Sequence, residues 1–296
     1  MTKKLTSLII PVVLFFLCDF LISLWLENGL DKYYGLNQNS EVLLVGHSHL
    51  MLSTDKAQME KDLNMKVSKF CREGVDVSTR KKMIDYYLSL PDKDSLKYVV
   101  YGVDLFSFQP RGLAQNTHTQ FYPFMDNDII DSYIKSNDKR VAYWSHKLIR
   151  STRYDDALIN SAIRGFRNDW SNYKFGTIDI ERVRNGLTHD NRTVAFDSVL
   201  QNDFEQTLNI LENKGIKTIL VNTPTLYELN HANYAGYNKI NQYFDSIAST
   251  SEYVEYWNLN TLYSQRYDLF FDMIHMNSKG QKVVSLEITN RIKALK

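Results

Sequence analysis

The chain has 296 residues, and its 35 Lys and Arg against 34 Asp and Glu leave a formal net charge of +1. That length fits one large α/β domain or one domain carrying an insertion, and the neutral balance lacks the basic field that nucleic-acid binding draws on. Two cysteines, Cys18 in the N-terminal apolar run and Cys71 in the body, give no disulfide framework, and no Cys/His cluster has zinc spacing.

The first element is an apolar run from Leu5 to Leu26, broken only by Thr6, Ser7, Pro11, Asp19 and Ser23. About 20 such residues span a bilayer as a helix. Lys3 and Lys4 precede the run, and Glu27 and Asp31 follow it. The positive-inside rule then keeps the N-terminus cytoplasmic and exports the body. No small-x-small site follows the run, so it reads as an uncleaved signal anchor over residues 1–26 rather than a cleaved signal peptide. Asp19 within it either faces a partner or a polar cavity, or else lies near the outer interface or is protonated. Residues 27–40, with Gly29, Gly35 and several Asn, read as a linker.

A βα alternation follows over residues 41–296. Val42–Val45 is a buried strand by its continuous apolar run, and Ser53-Thr54-Asp55 caps a helix to Leu63. Met65–Phe70 is a second strand, Ser78–Leu90 a helix, and Tyr98–Val103 a third strand rich in β-branched and aromatic residues. Residues 105–195 break the pattern. They are rich in Phe, Tyr, Trp, Asn, Asp and Arg, too long for an ordinary loop, and helical at 126–136 and 153–167. They read as a mostly helical insertion that caps or walls the cleft. The alternation resumes with a helix over Phe196–Asn213, a strand over Ile216–Val221, a helix over Tyr237–Ile247, a strand over Tyr253–Trp257, and a last helix to Leu295 capped by Ser278. The fold class expected is α/β: a parallel sheet covered on both faces, with ligands beyond the carboxyl ends of its strands.

Two short motifs carry the chemistry. Val42-Leu-Leu-Val-Gly-His-Ser-His49 runs a strand into a turn bearing Ser48, and Phe271-Asp-Met-Ile-His275 puts Asp272 and His275 before the final helix. A serine hydroxyl at neutral pH needs a histidine to take its proton and a carboxylate to orient that histidine. Ser48 alone reads as a helix cap; with Asp272 and His275 it reads as a nucleophile, His275 as its base and Asp272 as the orienting carboxylate. The chain lacks a Gly-rich phosphate loop, which argues against a phosphate binder of flavodoxin type, and no cofactor or metal is expected.

These residues resemble the SGNH (GDSL-type) hydrolase superfamily, whose nucleophile follows the first strand in Gly-Asp-Ser and whose Asp-x-x-His precedes the last helix. Here the two are Gly46-His47-Ser48 and Asp272-Met273-Ile274-His275. The resemblance covers residues 41–104 and 215–295. It implies a three-layer, flavodoxin-like parallel sheet, with an oxyanion hole made by the backbone of Ser48, by Gly74 after the second strand, and by an Asn after the third. Gly102-Val103-Asp104 departs from that pattern: an ionised Asp104 repels an oxyanion unless it holds a proton, and Asn222 is a substitute donor. His47 and His49 flank Ser48, where either binds substrate, competes as the base or is structural.

A serine flanked by His resembles the membrane-anchored envelope branch of the superfamily. That branch implies an esterase or O-acyltransferase acting on acyl esters, acetyl foremost, of an extracytoplasmic polysaccharide, beside a membrane-bound O-acyltransferase. The rival is a non-catalytic, glycan-binding subunit of the same kind of complex.

Overall fold

The computed structural model describes residues 2–110, 116–187 and 194–295. Residues 111–115 and 188–193 of the expected insertion, the side chains of Lys3 and Lys4, and Lys296 lie outside the described residues.

The elements follow in order. Helix α1 (Thr2–Tyr34) leads to β1 (Val42–Gly46), α2 (Ser48–Ser53), α3 (Lys56–Leu63), β2 (Val67–Cys71), α4 (Val77–Ser89) and β3 (Tyr98–Val103). Helices α5 (Asp128–Asn137), α6 (Arg140–Leu148), α7 (Asp156–Arg167) and α8 (Ile180–Leu187) come next, with 3-10 turns at Thr117–Phe124 and Arg150–Arg153. The chain closes with α9 (Ser198–Glu212), β4 (Lys217–Asn222), α10 (Tyr227–Ala232), α11 (Tyr234–Thr250), β5 (Val254–Asn258), α12 (Asn260–Tyr263), a 3-10 turn at Tyr267–Leu269, and α13 (Ser278–Ala294).

Chain packing divides these into two compact units: Met1–Tyr34 with Asn116–Asp169, and Gly35–Gln115 with Trp170–Lys296. The second unit holds a five-stranded sheet in the order β2-β1-β3-β4-β5, every pair parallel. Helices α2, α3 and α13 cover one face, burying Val42, Leu44, Val100, Ile219 and Val221 against Met59, Leu63, Val284 and Ile288. The alternate residues face α4, α9 and α11, where Tyr101 packs on Phe204 with centroids 5.5 Å apart and Phe244 on Tyr256 at 5.5 Å. Coverage of both faces is why β1 and β2 are buried at every position, and why β1 reads as an unbroken apolar run. The order in which strands are added reverses between β1 and β3. In an open parallel sheet that switch point opens a crevice beyond the strand ends.

The first unit joins α1 to the insertion. Gly165 of α7 lets the two helices touch: a Cβ there would stand 2.0 Å from the Gly29 carbonyl oxygen. Trp25 stacks on Phe166 at 5.0 Å, and the Tyr154 hydroxyl donates to the Ser23 carbonyl at 3.0 Å. Asp19 is buried in this unit, where it accepts the backbone N–H groups of Arg150 at 2.7 Å and Ser151 at 2.8 Å. Of the two readings of Asp19, the structure supports the partnered one.

Three boundaries need correction. Helix α1 runs through residues 27–34, which the sequence presents as linker, and buries Leu30 and Tyr34, the latter edge-on to Phe124 of the first unit at 6.4 Å. The insertion of 105–195 is not one body: Asn116–Asp169 packs with α1, whereas Trp170 onward belongs with the sheet. Asn277, not Ser278, caps α13, accepting the N–H of Lys279 and of Gly280, each at 3.0 Å.

Candidate active site

The nucleophile turn grows out of β1. Gly46 ends the strand, and α2 folds back tightly onto it. A Cβ on Gly46 would meet Leu50 Cβ at 2.9 Å, and one on the neighbouring Gly102 would meet it at 3.0 Å. His47 caps α2: its Nδ1 accepts the N–H of His49 at 3.2 Å. Ser48 is then the first helical residue, part-exposed, and its N–H has no acceptor within the helix.

The second half of the site is a short loop ahead of α13. Phe270 and Met276 pair across it, and the Phe271 N–H donates to the His275 carbonyl at 2.9 Å. Inside the loop, Asp272 Oδ1 accepts the N–H of Ile274 at 2.9 Å and of His275 at 2.8 Å. Its Oδ2 lies 2.8 Å from His275 Nδ1, and His275 Nε2 lies 2.9 Å from Ser48 Oγ. The three groups read as Asp272, His275 and Ser48 thus converge in one relay across 227 residues of sequence. Burial pushes the Asp272 carboxyl up, but the hydrogen bond to His275, its charge and the two backbone donors outweigh this and hold it below the usual carboxylate range. An ionised Asp272 accepts Nδ1–H and leaves Nε2 unprotonated toward the serine hydroxyl, the tautomer a base requires.

Asp104 stands at the carboxyl end of β3, turned toward the histidines on either side of Ser48. Its Oδ2 lies 2.6 Å from His47 Nε2 and 3.0 Å from His49 Nδ1, and all three side chains are buried. Neither contact has the alignment of a hydrogen bond. The other oxygen accepts the N–H of Phe106 at 2.7 Å and the Ser107 hydroxyl at 3.3 Å. Burial raises the Asp104 carboxyl; His47, by charge and contact, and then His49 more than reverse this, so the group sits well below its ordinary range. Burial also pushes His47 down to about 4. The proton on His47 is therefore at Nε2, facing Asp104, because Nδ1 is occupied as an acceptor.

Asp104 is thus an anion between two imidazoles and not a protonated oxyanion donor. His47 and His49 are bound up with it, and the imidazole on Ser48 is that of His275. The ring of His49 stands edge-on to that of His275, centroids 5.5 Å apart. Asn222 is corrected as a donor. Its amide N–H groups go to Asn241 Oδ1 and the Tyr256 hydroxyl, each at 3.1 Å, and its Oδ1 accepts from Asn260 at 3.0 Å. Gly74, with φ of +70°, turns the chain after β2 and borders a small pocket shared with His47, Arg80, Asp104 and Gln109.

His47, His49 and Asp104 each present a ligand atom within 4.8 Å of the others, a donor set of the kind that binds divalent cations. The geometry is wrong as it stands. Ligands about 2.1 Å from a tetrahedral ion sit about 3.4 Å apart, well beyond the 2.6 Å between His47 and Asp104.

Two residues outside the motifs hold the halves of the site together. Buried Asn172 donates its side-chain amide to the Leu52 carbonyl of α2 at 2.9 Å and to the Met276 carbonyl beside His275 at 2.7 Å. Gln281 of α13 accepts the Asn172 N–H at 2.7 Å and donates to the Thr54 and Trp170 carbonyls, both at 2.9 Å. No periodicity or motif marks Asn172 in the sequence; only a polar residue among aromatics at the end of the insertion hints at it.

No family model and no curated protein sequence matches the chain. Among solved structures it is similar to a protein from Desulfitobacterium hafniense described as lipolytic and of the G-D-S-L family, at 8% identity and a TM-score of 0.44, covering 84% of this chain and 97% of that one. It is similar to a lipase from a goat rumen metagenome at 11% identity and a TM-score of 0.43, covering 84% and 95%. The C-terminal catalytic domain of peptidoglycan O-acetyltransferase A from Streptococcus pneumoniae matches at 12% identity and a TM-score of 0.39, covering 86% and 92%.

Proposed function

We propose that the chain is an SGNH-like serine acyl hydrolase or O-acyltransferase, anchored in a membrane by α1 and acting on acyl esters of an extracytoplasmic envelope polysaccharide. The observation that carries the chemistry is the Ser48–His275–Asp272 relay, with both links below 3 Å. Ser48 Oγ attacks the acyl carbonyl as His275 Nε2 takes its proton. Asp272 holds Nδ1–H and balances the imidazolium. The oxyanion is met by backbone N–H groups of Ser48 and Gly74. Collapse breaks the ester bond, the leaving oxygen takes the proton from His275, and the acyl group stays on Ser48. A water, or a sugar hydroxyl in the transferase case, then repeats the steps in reverse. Asp104 adds no donor; it steadies the turn by holding the imidazoles on both sides of Ser48. The extracytoplasmic placement is supported by α1, which over Ile9–Tyr34 is long and apolar enough to cross a membrane, and by Lys3 and Lys4 ahead of it.

The test is turnover of activated acetyl esters by the full chain in detergent, together with labelling by an acyl-serine probe. Ser48→Ala should abolish labelling and lower turnover by about 10³-fold or more, and His275→Ala should do nearly the same. Undiminished turnover in Ser48→Ala would refute the covalent route. A folded parent inert toward several acyl donors would favour the non-catalytic subunit.

A further inference from the structure

We propose that α6 is an interfacial membrane helix, its exposed apolar face resting in the lipid leaflet on the side of the body. This rests on the reading of α1 as a membrane span. Val141, Trp144 and Leu148 are 83%, 53% and 65% exposed. At about 100° per residue they share one narrow face of α6. The opposite face buries Tyr143, whose hydroxyl donates to Asp131 at 3.0 Å. Lys139 and Arg140, both exposed, open the helix. An apolar face with a Trp and basic residues at its margin is the composition of helices that lie in a bilayer interface.

The depth of α6 is fixed by its end. Immediately after Leu148 the chain binds α1: the backbone N–H groups of Arg150 and Ser151 hold Asp19, and the Arg150 guanidinium lies 5.3 Å from the Phe20 ring centroid. Leu148 therefore sits near the level of Asp19 along α1. The exposed apolar surface of α1 does not stop at that level. Leu21, Ile22, Leu24 and Trp25 are each 44–52% exposed. Trp25 lies about 9 Å beyond Asp19 at 1.5 Å per residue. Counted the same way, Leu5 to Trp25 is about 30 Å, the thickness of the hydrocarbon core. Lipid that covers Leu24 and Trp25 on one side of α1 thus reaches past the level of Leu148 on the other. Interfacial helices settle about 5–10 Å deep, which is where this places the C-terminal end of α6. The occupant is lipid and not a protein, because the patch is level with an anchor surface that only lipid need cover.

The experiment uses the full chain in phosphatidylcholine–phosphatidylglycerol nanodiscs. An environment-sensitive dye is placed at Val141→Cys, Trp144→Cys or Leu148→Cys in a Cys18→Ser background, Cys71 being buried. A dye on native Cys18, exposed on α1, reports on the anchor itself. Nitroxide lipids should quench the three α6 positions about twofold or more, and iodide in the water should quench them little. If the α6 positions are open to iodide and untouched by nitroxide lipid while Cys18 is quenched by lipid, the face is bare and the proposal is overturned. Protection from both quenchers means that a second copy or another protein covers the face, which overturns it equally. If Cys18 itself escapes the lipid quenchers, the anchor reading has failed and takes the proposal with it, by a signature distinct from the other two.

Discussion

His47 and Asp104 make the nucleophile turn sensitive to acid. Unfolded, His47 takes a proton near 6.5; folded, burial holds it down to about 4. The unfolded chain therefore gains a proton that the folded chain refuses, and stability falls as pH drops from about 6.5 toward 4. At about 1.36 kcal/mol per unit the loss from this residue approaches 3 kcal/mol. Asp104 and Asp272, both held low when folded, contribute stability present above about 4, and it is lost only below that. Urea midpoints across pH 7.5 to 4.5 should slope downward for the parent and much less for His47→Gln. A parent midpoint flat over that range would show that His47 is charged in the folded state. The roles of the flanking histidines were not legible in the sequence. Their spacing puts both beside Ser48, but only the end of β3, arriving from 55 residues away, decides that they face a carboxylate.

Among the elements, β1 and the loop before α13 were the most legible. The continuous apolar run, the turn residues and the Asp-x-x-His spacing are local signals, and each forms as written. The strands were legible for the same reason, a parallel sheet needing apolar residues on both faces. What joins these elements was not legible, because it is made by backbone carbonyls meeting one amide from the end of the insertion. Asn172 is that amide, and it spans α2 and the His275 loop. Asn172→Ala leaves two buried carbonyls unpaired, at a cost of about 1–3 kcal/mol. It should loosen the Ser48–His275 distance, so that kcat falls while KM changes little. Chemical denaturation and steady-state kinetics of the same variant check both parts. A raised KM with kcat intact would instead place Asn172 against substrate.

For the molecule as a whole, orientation is the property on which the envelope substrate depends. With Lys3 and Lys4 retained in the cytoplasm, protease added to intact spheroplasts should digest the body, and a tag before Lys3 should survive. Protection of the body would remove the polysaccharide as a substrate while leaving the serine chemistry intact. The long apolar run was plain in the sequence; its continuation to Tyr34 and its union with the insertion were not, since both depend on helix contacts such as Gly29 with Gly165. The separation of Ser48 from His275 by 227 residues has a further consequence, for biosynthesis. No growing chain that stops short of His275 carries the pair, and the contacts that complete it are among the longest-range in the fold, the kind that form slowly. A copy truncated before His275 has a serine without the imidazole that meets it in the fold. Whatever chemistry the pair performs therefore arrives late, once the strands of the sheet and both halves of the site are in place.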